Sequence, residues 1–193
     1  EAPKPEPAQT TTPGEGLFAE IKTAKGTIVC QLEYALTPMT VASFVALAEG
    51  KHPYVTTVEK SKHFYDGLTF HRVAPDFVIQ GGDPSGNGSG GPGYMFPEEI
   101  VPSLRHDKAG TMAMARTPAR GSNGSQFYFT LKDTPFLDGD YTVFGHVVSG
   151  MDVVKSIQQG DKMESVTIVA KGKDAEAFDA VKVLEANKDK FKK

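Results

Sequence analysis

Phe70 to Gly93 reads FHRVAPDFVIQGGDPSGNGSGGPG, and this stretch organises the chain. Its first half alternates strand-forming residues with two long polar side chains, Arg72 and Gln80, that fit poorly in an ordinary strand core. Its second half carries seven glycines in the thirteen residues from Gly81 to Gly93. A fixed cation, an amide and an apolar ring (Phe77) then lie beside a backbone that a ligand's own backbone can approach closely. The pattern is that of a binding groove.

Working outward, 193 residues with 39% hydrophobic and 23% charged content describe one soluble domain plus tails. Such a chain buries a sufficient core without covalent staples. The net charge of −3 gives no electrostatic reason for a nucleic acid or anionic membrane as partner. No apolar run reaches the 18 residues that would suggest a membrane-spanning helix. Cys30 stands alone inside Ile28-Val29-Cys30 and reads as a small buried hydrophobe, not a nucleophile.

Residues 1–16 hold four prolines and the run Thr10-Thr11-Thr12, the composition of a disordered tether. With Glu1 at the start instead of Met, the tether favours an extracytoplasmic domain, periplasmic or held off a membrane surface. A trimmed linker in a cytoplasmic protein is the alternative.

Leu17–Thr23 and Thr27–Leu32 are strand-like and flank the turn Ala24-Lys25-Gly26. Thr37-Pro38 supplies an N-cap and N1 proline for a helix on which Val41, Phe44, Val45 and Ala48 recur, with Gly50 as its stop. Residues 51–66 form a polar loop, long enough to suggest a functional role. Further strands are expected at Leu68–Val73, Phe77–Gln80, Gly110–Ala115, Gln126–Leu131, Tyr141–Val147 and Ser165–Ala170, with a short helix at Met151–Ile157. Many short strands with two internal helices argue for an all-β barrel over residues 17–170. Phe178, Val181, Leu184 and Phe191 then make one amphipathic helix in 171–193, packed on the barrel or binding a partner.

Gly86-Asn87-Gly88-Ser89-Gly90-Gly91 matches the dinucleotide pattern GxGxxG, but Pro92, Gly93 and Pro97 follow, so no helix receives a pyrophosphate. The five histidines show no metal-ligand spacing, and no GxSxG elbow marks a hydrolase. The sequons at Asn87 and Asn123 fall within the expected groove and read as chance matches. In Gln126-Phe127-Tyr128-Phe129, period 2 sets the phenylalanines toward a core and Gln126 and Tyr128 toward the other face.

Several of these segments together resemble the cyclophilins, peptidyl-prolyl cis–trans isomerases built on a closed eight-stranded antiparallel β-barrel with two capping helices. The matching pieces are Phe70–Val73, Phe77–Asp83, Gly88–Gly91, Met114-Ala115, Asn123–Phe127, Phe136–Gly139 and Val143–Gly145. The resemblance implies Arg72 as the catalytic arginine, supported by Gln80 and Gln126. It implies Phe77, Val78, Tyr128 and Leu137 around a proline pocket. A peptide-contacting rim would be formed by Gly88, Met114, Ala115, Arg116, Thr117, Phe136 and Tyr141. Three residues depart from the family pattern: Tyr128 replaces a floor Phe, Phe136 replaces Trp, and Tyr141 stands where His is common. The expected partners are proline-containing peptides and unfolded protein clients, with weak cyclosporin binding and a monomeric state. No cofactor or metal is required. The rivals are a non-catalytic peptide-binding module on the same barrel and a hydrolase using His71 or Ser125.

Overall fold

The computed structural model describes residues 14–193; most of the tether expected at 1–16 lies outside the described residues. Eight antiparallel strands form one sheet: β1 (Gly16–Thr23), β2 (Gly26–Leu32), β3 (Arg72–Ala74), β4 (Val78–Gly81), β5 (Thr111–Met114), β6 (Phe127–Thr130), β7 (Val143–Ser149) and β8 (Ser165–Lys171). Their order is β3-β4-β6-β5-β7-β2-β1-β8. The strand count and antiparallel pairing agree with the sequence reading. Closure by the strands themselves does not, because β3 and β8 end the order and do not pair with each other. The segments just before them meet instead. Thr69 bridges Lys162, Phe70 N donates to Asp161 O at 2.8 Å, and Met163 N donates to Leu68 O at 2.8 Å. This accounts for β3 being shorter than expected: Leu68 and Phe70 pair with that segment before the strand begins.

The main core fills the inner face of the sheet. Ile21, Ile28, Cys30, Phe70, Ile79, Phe127, Phe129 and Phe144 are all buried there. Phe127 and Phe129 lie edge-to-face, as period 2 requires of alternate residues on the inward side. Cys30 is fully buried and its thiol is pushed far above the ordinary value by desolvation, in keeping with an inert packing role.

Helix α1 (Pro38–Glu49) begins at the proline and stops at Gly50, which has φ 69° in the left-handed region. Its start is satisfied differently from the expectation. The Thr37 hydroxyl donates back to Glu33 O and caps nothing. The open N–H groups of Met39 and Thr40 instead donate to the Glu99 carboxylate at 3.2 and 2.6 Å, joined by the Thr40 hydroxyl at 2.6 Å. A carboxylate at this position also complements the positive end of the helix dipole.

The loop 51–66 is a packed wrap more than a polar excursion. His52, Val55, Phe64 and Tyr65 are buried, and the Tyr65 hydroxyl donates to Ser125 O. A short helix α2 (Met151–Ser156) follows β7. The single C-terminal helix expected beyond 171 is two pieces, α3 (Lys173–Ala177) and α4 (Ala180–Ala186). They break at Phe178-Asp179, where the Asp179 carboxylate accepts from Lys182 N and caps α4. Leu184 is buried where α4 packs on α1, and its carbonyl accepts from the Tyr54 hydroxyl. Phe191 then sits among His52, Tyr54, Tyr94 and Phe96.

Candidate active site

Strand register builds the site on the outer face of the sheet. Arg72 is paired with Gln80, Gln80 with Tyr128, Tyr128 with Ala113, and Ala113 with Val143. One row running across five strands therefore carries a cation, an amide, a phenol ring and two small apolar residues. The neighbouring row, Ile79–Phe129–Met112, turns into the core. Val78, Ala113, Tyr128 and Val143 form a second apolar cluster, against which Ala74, Phe77, Leu104, Ala115, Leu137 and Tyr141 pack.

A turn places Phe77. Phe77 N donates to Ala74 O at 3.0 Å, and Asp76 has φ 58°, so the chain reverses within four residues. The ring then lies under the Arg72 guanidinium, 5.9 Å from its carbon, and parallel to Phe136 at 5.9 Å. Phe136 belongs to a 3-10 turn, Pro135–Leu137, and is 67% exposed at the rim. Phe77, Val78, Tyr128 and Leu137 thus line a groove of about 490 Å³, with Arg72, Gln80, Gly88, Ala115, Arg116 and Tyr141 around it.

The polar side of the groove is a chain of hydrogen bonds. Arg72 Nη1 donates to Gln80 Oε1 at 3.3 Å, and Gln80 Nε2 donates to Gln126 Oε1 at 3.0 Å. Gln126 Nε2 then donates to Gly88 O and Gly90 O, both at 2.9 Å. From below, the Asp83 carboxylate holds the same loop, accepting from Ser85 N, Asn87 N and Gly88 N. Burial raises the Asp83 carboxyl, yet these backbone donors outweigh it and hold it below the usual carboxylate range.

The glycines of this loop divide into two kinds. A Cβ on Gly82 would sit 2.5 Å from Ser125 O, so that residue is glycine to let two strands of the protein's own backbone meet. Gly88 faces the groove, with nothing nearer than His71 Nε2 at 3.6 Å to such a Cβ. Gly88 is also held at φ 92°, in the left-handed region, so its own backbone conformation calls for glycine while its open face leaves room at the groove.

Not every expected site residue reaches the groove. Met114 is buried in the main core, because alternation along β5 turns it inward between Ala113 and Ala115. Thr117 is exposed, and its hydroxyl bonds Ser122 instead of lining the groove. Arg116 lines the groove with a committed guanidinium: it pairs with Glu98 at 3.1 Å, donates to Asp140 O, and stacks on Tyr141 at 4.7 Å. The hydrolase reading fails here. The Ser125 hydroxyl donates to Gly82 O at 2.6 Å, and His71 Nδ1 is buried without a hydrogen-bond partner among the described residues.

Two residues were missed in the sequence. His106 is fully buried, and its Nε2 lies 2.8 Å from the Tyr128 hydroxyl while its Nδ1 lies 2.8 Å from Asp138 Oδ1. The only available signal was indirect: a tyrosine at a pocket floor requires a buried partner for its oxygen. Burial pushes the His106 imidazole below its ordinary value despite the neighbouring carboxylate, and pushes the Tyr128 phenol up.

The site is thus an outer-face row with an arginine and a glutamine, a second glutamine bonded beside it, and an apolar pocket. The family described as cyclophilin type peptidyl-prolyl cis-trans isomerase/CLD matches residues 18–186. Peptidyl-prolyl cis-trans isomerase B of Streptomyces anulatus is 46% identical over 148 residues, covering 74% of this chain and 84% of that protein. The peptidyl-prolyl cis-trans isomerase of Helicobacter pylori is 42% identical over 151 residues, covering 77% and 85%. Among solved structures, a cyclophilin-type isomerase of Cryptosporidium parvum superposes with a TM-score of 0.69 at 27% identity, covering 80% of this chain and 98% of that one. That protein has also been crystallised in the presence of the dipeptide Ala-Pro (TM-score 0.65, 28% identity, covering 81% and 99%). The chain belongs to the cyclophilin-type peptidyl-prolyl cis-trans isomerase family. It is an enzyme that accelerates isomerisation about X-Pro bonds.

Proposed function

We propose that Arg72 is the catalytic group and that the groove holds proline-containing segments of peptides and unfolded protein clients. Isomerisation about X-Pro is slow because resonance gives the C–N bond partial double-bond character. In the twisted transition state the nitrogen recovers a lone pair. A guanidinium, always charged and purely a donor, can hydrogen-bond that lone pair. The bond exists only as the lone pair appears, so it lowers the barrier instead of merely tightening binding.

The observation that carries this reading is the Arg72–Gln80–Gln126 chain. It aims the guanidinium over the pocket through an amide that is itself held by the glycine loop. The ring of the substrate proline rests on Phe77, Val78, Tyr128 and Leu137. The flanking peptide lies along Ala115 and the Gly88 loop, which Gln126 holds at the edge of the groove. Arg116, being committed elsewhere, shapes the rim through Tyr141. The chemistry needs no acid, base, nucleophile or cofactor. The Ala-Pro dipeptide used with the Cryptosporidium relative supports a proline-containing ligand here.

Three further points belong to the same proposal. The Thr69–Lys162 bridge closes the sheet around its core as a barrel. The enzyme works as a monomer, in an extracytoplasmic compartment for which the proline-rich composition of residues 1–16 suits a tether. Its action there is chaperone-like assistance to folding. Separately, the exposed Phe136 in place of an indole supports weak cyclosporin binding.

The deciding experiment is Arg72→Ala in an isomerisation assay on a short X-Pro peptide. At least a tenfold fall in kcat/KM, about 1.4 kcal/mol, is expected with the melting temperature little changed. Parental activity in that variant would remove Arg72 from the mechanism.

A further inference from the structure

Tyr128 is the floor of the pocket, and it brings a hydroxyl to a cluster otherwise made of Val78, Ala113 and Val143. A buried phenol oxygen needs a partner, and here the partner is His106 Nε2 at 2.8 Å. The proton positions follow from the far end of the chain. The Asp138 carboxyl is raised by burial but lowered further by the two donors of His106, its backbone N–H at 2.6 Å and its ring at 2.8 Å. An ionised carboxylate only accepts, so His106 Nδ1 carries the hydrogen. A neutral imidazole with Nδ1–H has a bare Nε2, and Tyr128 must donate its O–H to it. The single hydroxyl proton is thereby directed out of the pocket, and substrate meets only the ring.

Asp138 also follows Leu137, a lining residue, and its N–H closes the 3-10 turn on Pro135 O at 3.1 Å. The same carboxylate therefore ties the pocket floor to its wall and to the Phe136 rim.

Resting on the reading of the groove as the isomerase site, we propose that His106 and Asp138 are positioning residues. The relay Asp138–His106–Tyr128 holds floor and wall in register for the proline ring and is what makes a tyrosine floor workable. Protonation of His106 turns Nε2 into a donor, so Tyr128 accepts and its O–H, still protonated, turns toward the pocket. The charged and titratable groups around this relay are Asp107 and Asp138 at His106, Arg105 beside Asp138, and Arg116 and Tyr141 at Tyr128.

The test measures kcat, KM and their pH profiles for the parent, His106→Leu, Asp138→Asn and His106→Leu/Tyr128→Phe, with Arg72→Ala alongside. His106→Leu leaves the hydroxyl unpaired and is expected to raise KM about fivefold or more, with a smaller change in kcat. The double variant, which has no hydroxyl to satisfy, is expected to recover most of that loss. Asp138→Asn, whose side chain is 30% exposed and opens no cavity, is expected to raise KM about two- to threefold and to alter its dependence on pH below 6.5. A double variant no better than His106→Leu overturns the proposal, as does Asp138→Asn with parental KM and pH profile. In either case a collapsed Arg72→Ala leaves the reading of the site intact, whereas an active Arg72→Ala removes that reading itself.

Discussion

Gln80 and Gln126 are hydrogen-bonded side chain to side chain at 3.0 Å, although 46 residues separate them. Gln80 is the register partner of Tyr128 on β6, and Gln126 is the residue just before that strand, so the amides meet diagonally. Each amide uses one end on its neighbour and the other on function: Gln80 Oε1 on the arginine, Gln126 Nε2 on the glycine loop. The Arg72 guanidinium and the glycine loop are thus one connected unit.

Gln80→Leu cuts that unit at its centre. Arg72 loses its acceptor and Gln126 its donor, while the leucine still fits beside Tyr128. A loss of about 1 kcal/mol per net hydrogen bond predicts a five- to thirtyfold fall in kcat/KM. The melting temperature is expected to move little because Arg72 is exposed. Steady-state assay beside a thermal melt checks both; undiminished kcat/KM would show that Arg72 needs no support from Gln80.

Glu99→Ala tests the long-range cap on α1. Three hydrogen bonds and a favourable charge at a helix N-terminus disappear together. A cap of this kind is worth about 1–2 kcal/mol, or a fall in melting temperature of about 2–8 °C at this chain length. Glu99 is not among the residues lining the groove, so kcat/KM at 25 °C is expected to hold. An unchanged melt would mean that Pro38 and packing alone secure the helix.

The sequence exposed the parts of this arrangement that are local and concealed those that are not. Arg72, Phe77 and Gln80 were legible because period 2 and the glycine run mark them in one short stretch, and Gln126 because period 2 sets it with Tyr128 on the face opposite the phenylalanines. Thr37 looked like a cap since capping is normally local, yet its hydroxyl turned back to Glu33 and the true acceptor lies some 60 residues away. The C-terminal stripe suggested one helix because apolar spacing continues through Asp179, whose capping side chain restarts it. Met114 was misplaced by carrying over a motif whole; strict alternation along β5 turns it inward. Tyr128 was legible as the floor residue, but the partner of its hydroxyl was not. Only the fold brings His106 beneath it, from a loop 22 residues earlier in the chain.

Acid sensitivity has an identifiable source in His52. Tyr54 N–H donates to its Nδ1 at 3.2 Å, its Nε2 faces Ser43 at 3.3 Å, and burial lowers the imidazole to about 3 from 6.5. Between those values the unfolded chain binds a proton that the native state does not. Stability is therefore fully present above pH 6.5 and falls as pH drops, by about 1.4 kcal/mol per pH unit for one such proton. His71, His106 and His146 are lowered too and act in the same sense. Asp83, Asp138 and Asp161 are also depressed, but their contribution is lost only as pH falls below about 4. Denaturant titrations from pH 7 to 4.5 should show a slope reduced by about one proton in His52→Gln. An equal slope in parent and variant would assign the effect to the other histidines.

Phe191 pins the C-terminal segment. Its ring lies 5.2–5.8 Å from those of His52, Tyr54, Tyr94 and Phe96, and Met95 N and Lys192 O bond at 2.7 Å beside it. Phe191→Ala is expected to cost about 2 kcal/mol, near the low end for aromatic truncation because the residue is only half-buried. Removal of residues 173–193 should cost more, since Leu184 is lost from α1 as well. A truncated protein that melts with the parent would leave the segment free for a partner.

The rim position Phe136 separates drug binding from turnover. Its ring is 67% exposed and stacked on Phe77, so it offers a flat apolar face but no donor. The tryptophan that the cyclophilins carry here is understood to help bind cyclosporin, through an indole N–H and a larger face. Phe136→Trp is therefore expected to tighten cyclosporin inhibition by about five- to thirtyfold, or 1–2 kcal/mol for one hydrogen bond plus added buried area. The change in kcat/KM should be smaller, because the proposed mechanism acts at Arg72 and not at the rim. Titrating the drug against both proteins in one assay reads the two effects together. Equal inhibition constants would shift control of the drug site to the Arg116–Tyr141 stack, the other fixed feature of the rim.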